Sequence, residues 1–223
     1  MEVKLVSYSQ PTESFRSVGI EDAQELIAYC ARVSNPTNQL NTESSAKLIS
    51  YLIKHQHWSP LEMVSACMEI TTTRDIARQI LRHRSFSFQE FSQRYADPTK
   101  DLKFVTREAR LQDPKNRQNS VEVEDQLLQN EWYRAQQRVI YAAQREYEWA
   151  IANGIAKEQA RAVLPEGLIE SRLYMNGTLR SWIHFIELRS ANGTQKEHQL
   201  VALACAKAIA AIFPMSESLV QNV

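Results

Sequence analysis

Residues 82–94 read RHRSFSFQEFSQR. Two arginines flank a histidine, phenylalanines recur at Phe86, Phe88 and Phe91, and Gln89, Glu90, Ser92, Gln93 and Arg94 complete the segment. Its presentation depends on what precedes it. Glu62 to Ile70 alternates by two, with Val64, Ala66, Met68 and Ile70 on one face and Met63, Ser65, Cys67 and Glu69 on the other, the pattern of a half-buried strand. Thr73 is then placed to cap a helix reaching about Leu81, with Ile76, Ala77, Ile80 and Leu81 on its apolar face. Strand, turn and helix thus lead straight into the charged segment.

Arg74, Arg78 and Arg82 fall at i, i+4 and i+8 along that helix, where like charges repel by roughly a few tenths of a kcal/mol per pair. Asp75 answers only part of this charge, and His83, Arg84 and Arg94 add to it if the loop folds back. Two readings stand side by side. In one, the arginines are solvated and the phenylalanines belong to the core. In the other, guanidinium forks bind phosphate oxygens while Phe86, Phe88 and Phe91 offer surfaces to a ring system, the combination a nucleotide carries. Spacing does not separate them.

Further out, Val3 to Ser7 is expected as a strand, Glu21 to Val33 as a helix, and Thr42 to Lys54 as a helix capped by its threonine, with His57 to Pro60 breaking the chain. Ala96 to Glu124 turns polar and aperiodic, a long excursion with one short strand near Leu102 to Val105, of the kind used as a lid, a subunit contact or a disordered segment. Gln126 to Ala152 carries a sustained helical period and stops at Asn153-Gly154, a left-handed cap. A short helix ends before Pro165, Ile169 to Met175 alternates as a strand, and Thr178 to Leu188 returns to helix. Thr194 and Glu197 have the spacing of a capping box before the last helix. The expected class is α+β, a helix-rich fold on a mainly antiparallel central sheet.

With 223 residues, one domain over 1–223 is expected. Its 26 basic and 26 acidic side chains cancel, leaving no overall field for nucleic acid or a membrane surface, so any preference for anions is local. The opening MEVKLVSYSQ lacks the features of a secretory signal and no apolar run is long enough to span a bilayer, which makes a soluble cytoplasmic protein the expectation. Cys30, Cys67 and Cys205 are odd in number and widely spaced, reading as small buried residues. His55, His57 and Glu62 lack a further ligand at motif spacing, and no metal is expected. Arg161, Arg172, Arg180 and Arg189 lie in apolar surroundings; an inward Arg189 needs a partner, for which Glu187 is adjacent. Ser92 has no Ser-His-acid constellation around it.

Arg82-His83-Arg84, then seven residues, Ser92, one residue and Arg94 resemble the RHRx7SxR signature of the flavin-dependent thymidylate synthases. The likeness continues through ELIAYCARVSNP, LIKHQHWSPLE, KNRQNS, ARAVLP, WIHFIELR and NGTQKEH, in order and over most of the chain. It implies reductive methylation of dUMP to dTMP, with methylenetetrahydrofolate as carbon donor, FAD as hydride carrier and NADPH as reductant, in a homotetramer whose active sites are shared between subunits. It implies a flavin site without a Rossmann domain, in keeping with the lack of any GxGxxG after a strand in a chain with five glycines.

Transferred by position, the resemblance implies that FAD is contacted by Ser65, Arg82, His83, Arg84, Gln89, Glu90, Thr178, Arg180 and His184. It implies that dUMP is framed by Gln79, Arg82, Glu90, Phe91, Ser92, Gln93, Arg94, Arg161 and Arg189, with Arg161 supplied by another subunit. Arg189 is the implied catalytic residue, orienting and polarising the uracil, and Ser92 is assigned to binding. Met63 and Gly193 stand where other members carry histidine, which touches only peripheral contacts. Two readings compete with this enzyme: a nucleotide or RNA-binding module that grips phosphates without chemistry, and a structural domain whose arginines are paired surface charges.

Overall fold

The computed structural model describes residues 1–220. Its centre is an antiparallel sheet of four strands in the order β1 (Glu2–Tyr8), β2 (Ser65–Thr73), β6 (Glu170–Thr178), β3 (Ser87–Glu90). A separate hairpin is formed by β4 (Arg110–Gln112) and β5 (Ser120–Glu122). Alternation sets the faces: Ala66, Met68 and Ile70 of β2 are buried, and Met68 lies opposite Met175 while Ile70 lies opposite Leu173 of β6. The other face carries the Tyr174 hydroxyl, which donates to Glu69 at 2.7 Å. β2 starts at Ser65 rather than Glu62, because Ser59–Glu62 winds into a 3-10 turn around Pro60. It continues to Thr73, where β-branched side chains pair with Arg172, Ser171 and Glu170.

The helices are α1 (Glu13–Arg16), α2 (Ala23–Ala31), α3 (Ser45–Lys54), α4 (Arg74–Ile80), α5 (Pro98–Asp101), α6 (Gln126–Ala152), α7 (Lys157–Ala160), α8 (Leu179–Ser190) and α9 (Lys196–Ile209). One core joins the apolar face of β2 and β6 to Ile27 of α2, Ile49 of α3, Ile76 and Ile80 of α4, Trp182, Phe185 and Ile186 of α8, and Val201 and Cys205 of α9. Tyr147 and Ala150 of α6 close a smaller cluster with Ala160, Leu164 and Ile169. Gly154 follows α6 with φ +78, the left-handed conformation that glycine adopts without strain. Among the described residues no helix is long and apolar enough to cross a membrane.

Three expected caps do not form, at Thr73 and Thr194 because the hydroxyl is engaged elsewhere and at Thr42 because the helix starts beyond it. The helix expected from Thr42 begins at Ser45 behind Ser44, whose Oγ accepts from Arg32 at 2.9 Å instead of capping. Thr73 precedes α4 but its Oγ1 accepts from Arg107 at 2.7 Å. Thr194 donates to the carbonyl of Leu188, so the expected capping box with Glu197 is absent and Gln195 takes the cap position of α9. Asp22 and Glu25 do form a capping box on α2.

The excursion after Ala96 is folded. Gln129 and Gln136, two turns apart on α6, exchange amide hydrogen bonds with the backbone of Ala109 and Arg107, like a strand pairing made by side chains. The strand expected near Leu102 to Val105 reduces to an isolated bridge between Phe104 and Ile169.

Gly177 shows how the charged loop is tied to the sheet. A Cβ at this position would collide with the ring of Phe86, which lies edge-to-face against Trp182 at 4.8 Å. The Trp182 Nε1–H in turn donates to the carbonyl of Ala66 at 3.0 Å. Gly177→Ala is therefore expected to destabilise the protein by about 1–3 kcal/mol through overpacking. Thermal unfolding checks this: Phe86→Leu in the Gly177→Ala background should recover part of the lost Tm, and an unchanged Tm in the single variant would refute the close approach.

Candidate functional site

After α4 the chain turns tightly, with the Arg82 and His83 amides donating to the carbonyls of Gln79 and Ile80. It then runs into β3, whose Phe88 and Gln89 pair with Met175 and Tyr174 of β6. This return buries Phe86 in the core, so Phe86 offers no face to a ligand, as the nucleotide reading of the sequence had supposed. Phe88 packs partly against the same core, and Phe91 is half-buried with its amide bonded to the carbonyl of Arg172.

The arginine row is largely answered from within. Arg74 is only 6% exposed rather than part of a solvated stripe. Its guanidinium lies 3.4 Å from Glu90 and 3.6 Å from Glu166, ion-pair distances at which Nη1 still makes no hydrogen bond. Arg78 shares both carboxylates, at 3.7 and 3.6 Å. Glu90 also accepts from the Ser171 hydroxyl at 2.7 Å. Asp75, expected to relieve the row, is taken by Arg107 at 2.7 Å. Arg94 pairs with Glu158 at 3.4 Å, and the Arg161 Nε–H donates to the carbonyl of Glu158, so Arg94 and Arg161 flank one carboxylate-bearing turn of the same protomer. Among the described residues, Arg82, Arg84, Arg161 and Arg189 make no ion pair.

Arg189 does not pair with Glu187; its Nε–H donates to His83 Nε2 at 2.9 Å. An acceptor nitrogen must be unprotonated, so His83 is neutral and carries its hydrogen on Nδ1. Burial, reinforced by the Arg189 charge, lowers its pKa from 6.5 to about 4. Burial and the neighbouring Arg82 likewise disfavour the charge on Arg189. Behind His83 stands His198, fully buried, its ring edge-on to His83 at 6.3 Å. Burial, then Arg189 and His83, lower the His198 pKa to about 3. Its Nδ1 lies 3.2 Å from Gln79 Oε1.

A second gathering forms where β2 begins and β6 ends. Ser65 pairs with Thr178, Arg180 forms an ion pair with Glu62, and His184 packs on Trp58 at 4.6 Å. Met63 beside them is exposed. Gln89 is exposed, Ser92 Oγ meets only the amide of Arg94, and Gln93 is 4% exposed with Nε2 unpartnered. A cavity of about 780 Å³, lined by Arg107, Arg110, Arg117, Trp132, Gln195 and Lys196 among others, adjoins α9 and the hairpin, and none of Arg82 to Arg94 lines it.

Cys205 is buried, whereas Cys30 and Cys67 are half-buried rather than fully inside. Burial pushes all three thiols up, away from the activated range. Among the described residues no group of His, Cys, Asp or Glu is arranged to hold a metal ion. The arrangement offers the Arg189 guanidinium, with Arg82 near it, beside a neutral imidazole, which suits an anionic ligand with a polar ring.

Residue-level reading missed His198, Gln195 and Glu166. His198 carried a signal, since it shares a helical stripe with Val201, Ala202 and Cys205 and a histidine there must be buried.

Residues 18–215 match the family described as thymidylate synthase complementing protein. The chain is 46% identical over 215 residues to a probable flavin-dependent thymidylate synthase of Paramecium bursaria Chlorella virus 1, covering 96% of each. It is 47% identical over 214 residues to the flavin-dependent thymidylate synthase of Synechocystis, again covering 96% of each. Among solved structures, a UMP/dUMP methylase, PolB, of Streptomyces cacaoi bound with 5-Br dUMP superposes with a TM-score of 0.78 at 26% identity, covering 97% of this chain and 93% of that one.

The neutral histidines have a pH signature. Their folded pKa values, about 4 for His83 and about 3 for His198, lie below the ordinary 6.5, so the unfolded chain takes up protons first. Stability is then complete above about pH 6.5 and falls as pH drops towards the folded values. Thermal unfolding should show a Tm that declines between roughly pH 7 and 5, and His198→Leu should flatten that decline. A pH-independent Tm over this window would show that these rings are not held neutral.

Proposed function

The chain belongs to the thymidylate synthase complementing protein family, that of the flavin-dependent thymidylate synthases, and from that premise we propose that it converts dUMP to dTMP by reductive methylation. Methylenetetrahydrofolate is the carbon donor, FAD the hydride carrier and NADPH the reductant. The balance is dUMP, methylenetetrahydrofolate, one hydride and one proton in, dTMP and tetrahydrofolate out.

The observation that carries this reading is Arg189, whose Nε is spent on neutral His83 while, among the described residues, no carboxylate neutralises the guanidinium. Its two Nη groups remain available to stabilise negative charge developing on the uracil ring. Gln79, Arg82, Glu90, Phe91, Ser92, Gln93, Arg94 and Arg161 frame the nucleotide in this reading, the uncommitted guanidiniums of Arg82 and Arg161 suiting its phosphate. Ser65, Arg82, His83, Arg84, Gln89, Glu90, Thr178, Arg180 and His184 would hold FAD, and the donors of Arg82 and Arg84 fit a diphosphate. When bound, the flavin supplies the hydride step, which no side chain here can perform. Glu90 acts by holding Arg74 and Arg78, and through them the helix that delivers Arg82.

Arg189→Ala is expected to reduce dTMP formation by roughly 10²-fold or more, with circular dichroism and flavin absorbance retained. Loss of helical signal, or full activity in the variant, would overturn the role of Arg189. The absorption spectrum of flavin-loaded protein should shift on adding dUMP.

The reading includes a homotetramer with shared active sites. Its support is α6, which leaves Leu127, Tyr141 and Trp149 exposed at 76%, 69% and 58%. These three lie within about a quarter-turn of one another on the helix. Tyr141→Glu with Trp149→Glu is expected to reduce the assembly to smaller species by analytical ultracentrifugation. A tetramer that survives both substitutions would place the subunit contact elsewhere.

A further inference from the structure

Four side chains form a chain of hydrogen bonds whose direction is set from one end. Glu197 is half-buried at the start of α9, and burial alone would push its carboxyl up. Its own backbone N–H, the Gln195 amide and Arg110 outweigh this and hold the pKa below the ordinary value. An ionised carboxylate only accepts. Gln195 must therefore turn its Nε2 to Glu197, as it does at 2.9 Å, which leaves Gln195 Oε1 as an acceptor. Gln79 must then turn Nε2 to Gln195, at 2.8 Å, which points Gln79 Oε1 at His198 Nδ1, 3.2 Å away. His198 must carry its hydrogen on Nδ1. Amide orientations are usually a choice made from the surrounding network; here the acceptor-only end removes the choice.

We propose that His198 and Gln195 clamp the carboxamide of Gln79 in one orientation and thereby make it a specificity element that admits a uracil and rejects a cytosine nucleotide. The proposal deepens the functional reading above and rests on its placing of Gln79 and Arg189 at the nucleotide: Gln79 reaches the uracil end through His198, whose ring lies 6.3 Å from the His83 that accepts from Arg189. Uracil presents an N3–H donor and an O4 acceptor along the edge where cytosine presents an N3 acceptor and an N4 donor. A freely turning amide complements both, since flipping exchanges its donor and acceptor. The clamped amide keeps one N–H on the Gln195 side and one lone pair on the His198 side; flipping it would set Oε1 against Oε1 of Gln195 and oblige His198 to move its hydrogen from Nδ1 to Nε2, which is buried without a partner. Both changes leave polar groups unpaired beside a fully buried ring, where that is costly. His198 and Gln195 are positioning residues; neither needs to touch the base.

The test is calorimetric binding of dUMP and dCMP to flavin-loaded protein. The wild type should prefer dUMP, and His198→Leu should narrow the dUMP-to-dCMP preference by about 10-fold, equivalent to about 1.4 kcal/mol. His198→Asn, whose Nδ2–H can occupy the place of Nδ1–H, should restore most of the preference. Gln195→Met, changed at a half-buried position outside the core cluster, should narrow it as well, which keeps the test open if His198→Leu folds poorly. An unchanged preference in Gln195→Met and His198→Leu, or equal loss in His198→Leu and His198→Asn accompanied by equal loss of Tm, would overturn the clamp and leave His198 a packing residue. Wild-type protein that binds no dUMP would instead sink the functional reading itself.

Discussion

The antiparallel ladder between β2 and β6 is the constraint on which the site depends. Ser65 lies opposite Thr178 and Thr73 opposite Glu170, so the helices that follow the two strands start from opposite ends of the pair. A nine-residue ladder is roughly 30 Å long. The seven residues of α4 and the twelve of α8 cover about 10 and 18 Å at the helical rise. Two helices folding back from opposite ends therefore meet at their C-termini, and there His83 accepts from Arg189 and packs against Phe185 at 5.0 Å. A one-residue slip of the ladder would invert the faces of β6 and separate them.

That meeting point sets the electrostatics. A histidine flanked by unpaired arginines and apolar rings is neutral at neutral pH, and an arginine donating to a neutral acceptor is left without a countercharge and so open to another partner. Arg74 and Arg78, by contrast, are spent on Glu90 and Glu166, and Arg94 on Glu158. The same residue type thus serves two ends within a short segment: the paired arginines brace the loop, and Arg82, Arg84 and Arg189 carry the uncommitted charge.

Much of this was legible in the sequence, and where it was not, the reason is physical. The alternation of Val64 to Ile70 and the period of Gln126 to Ala152 come from burial on one face, which a local pattern records faithfully. The caps at Thr73 and Thr194 failed because a hydroxyl satisfies whichever partner folding brings near, and the guanidinium of Arg107 comes from 34 residues away. The spacing of Arg82, His83, Arg84, Ser92 and Arg94, joined to the blocks from ELIAYCARVSNP to NGTQKEH in order, pointed to the family, which the likeness to relatives over 96% of the chain bears out. Which arginines are answered internally was not visible, since Glu166 and Glu158 reach Arg74, Arg78 and Arg94 only through the return of β6 and the turn before it.

The polar chain from Arg110 to His198 also bears on why a core accepts such groups. His198 occupies a buried stripe otherwise made of Val201, Ala202 and Cys205, and its Nε2 is buried without a partner. A half-satisfied polar network costs stability relative to an apolar core. Helix formation does not require it, because α9 is already anchored by Val201, Cys205 and Ile209. What an apolar residue cannot supply is direction. Starting from a carboxylate that only accepts, each amide in turn is left a single orientation, so a charge on one helix determines how a side chain on another presents its donor and acceptor.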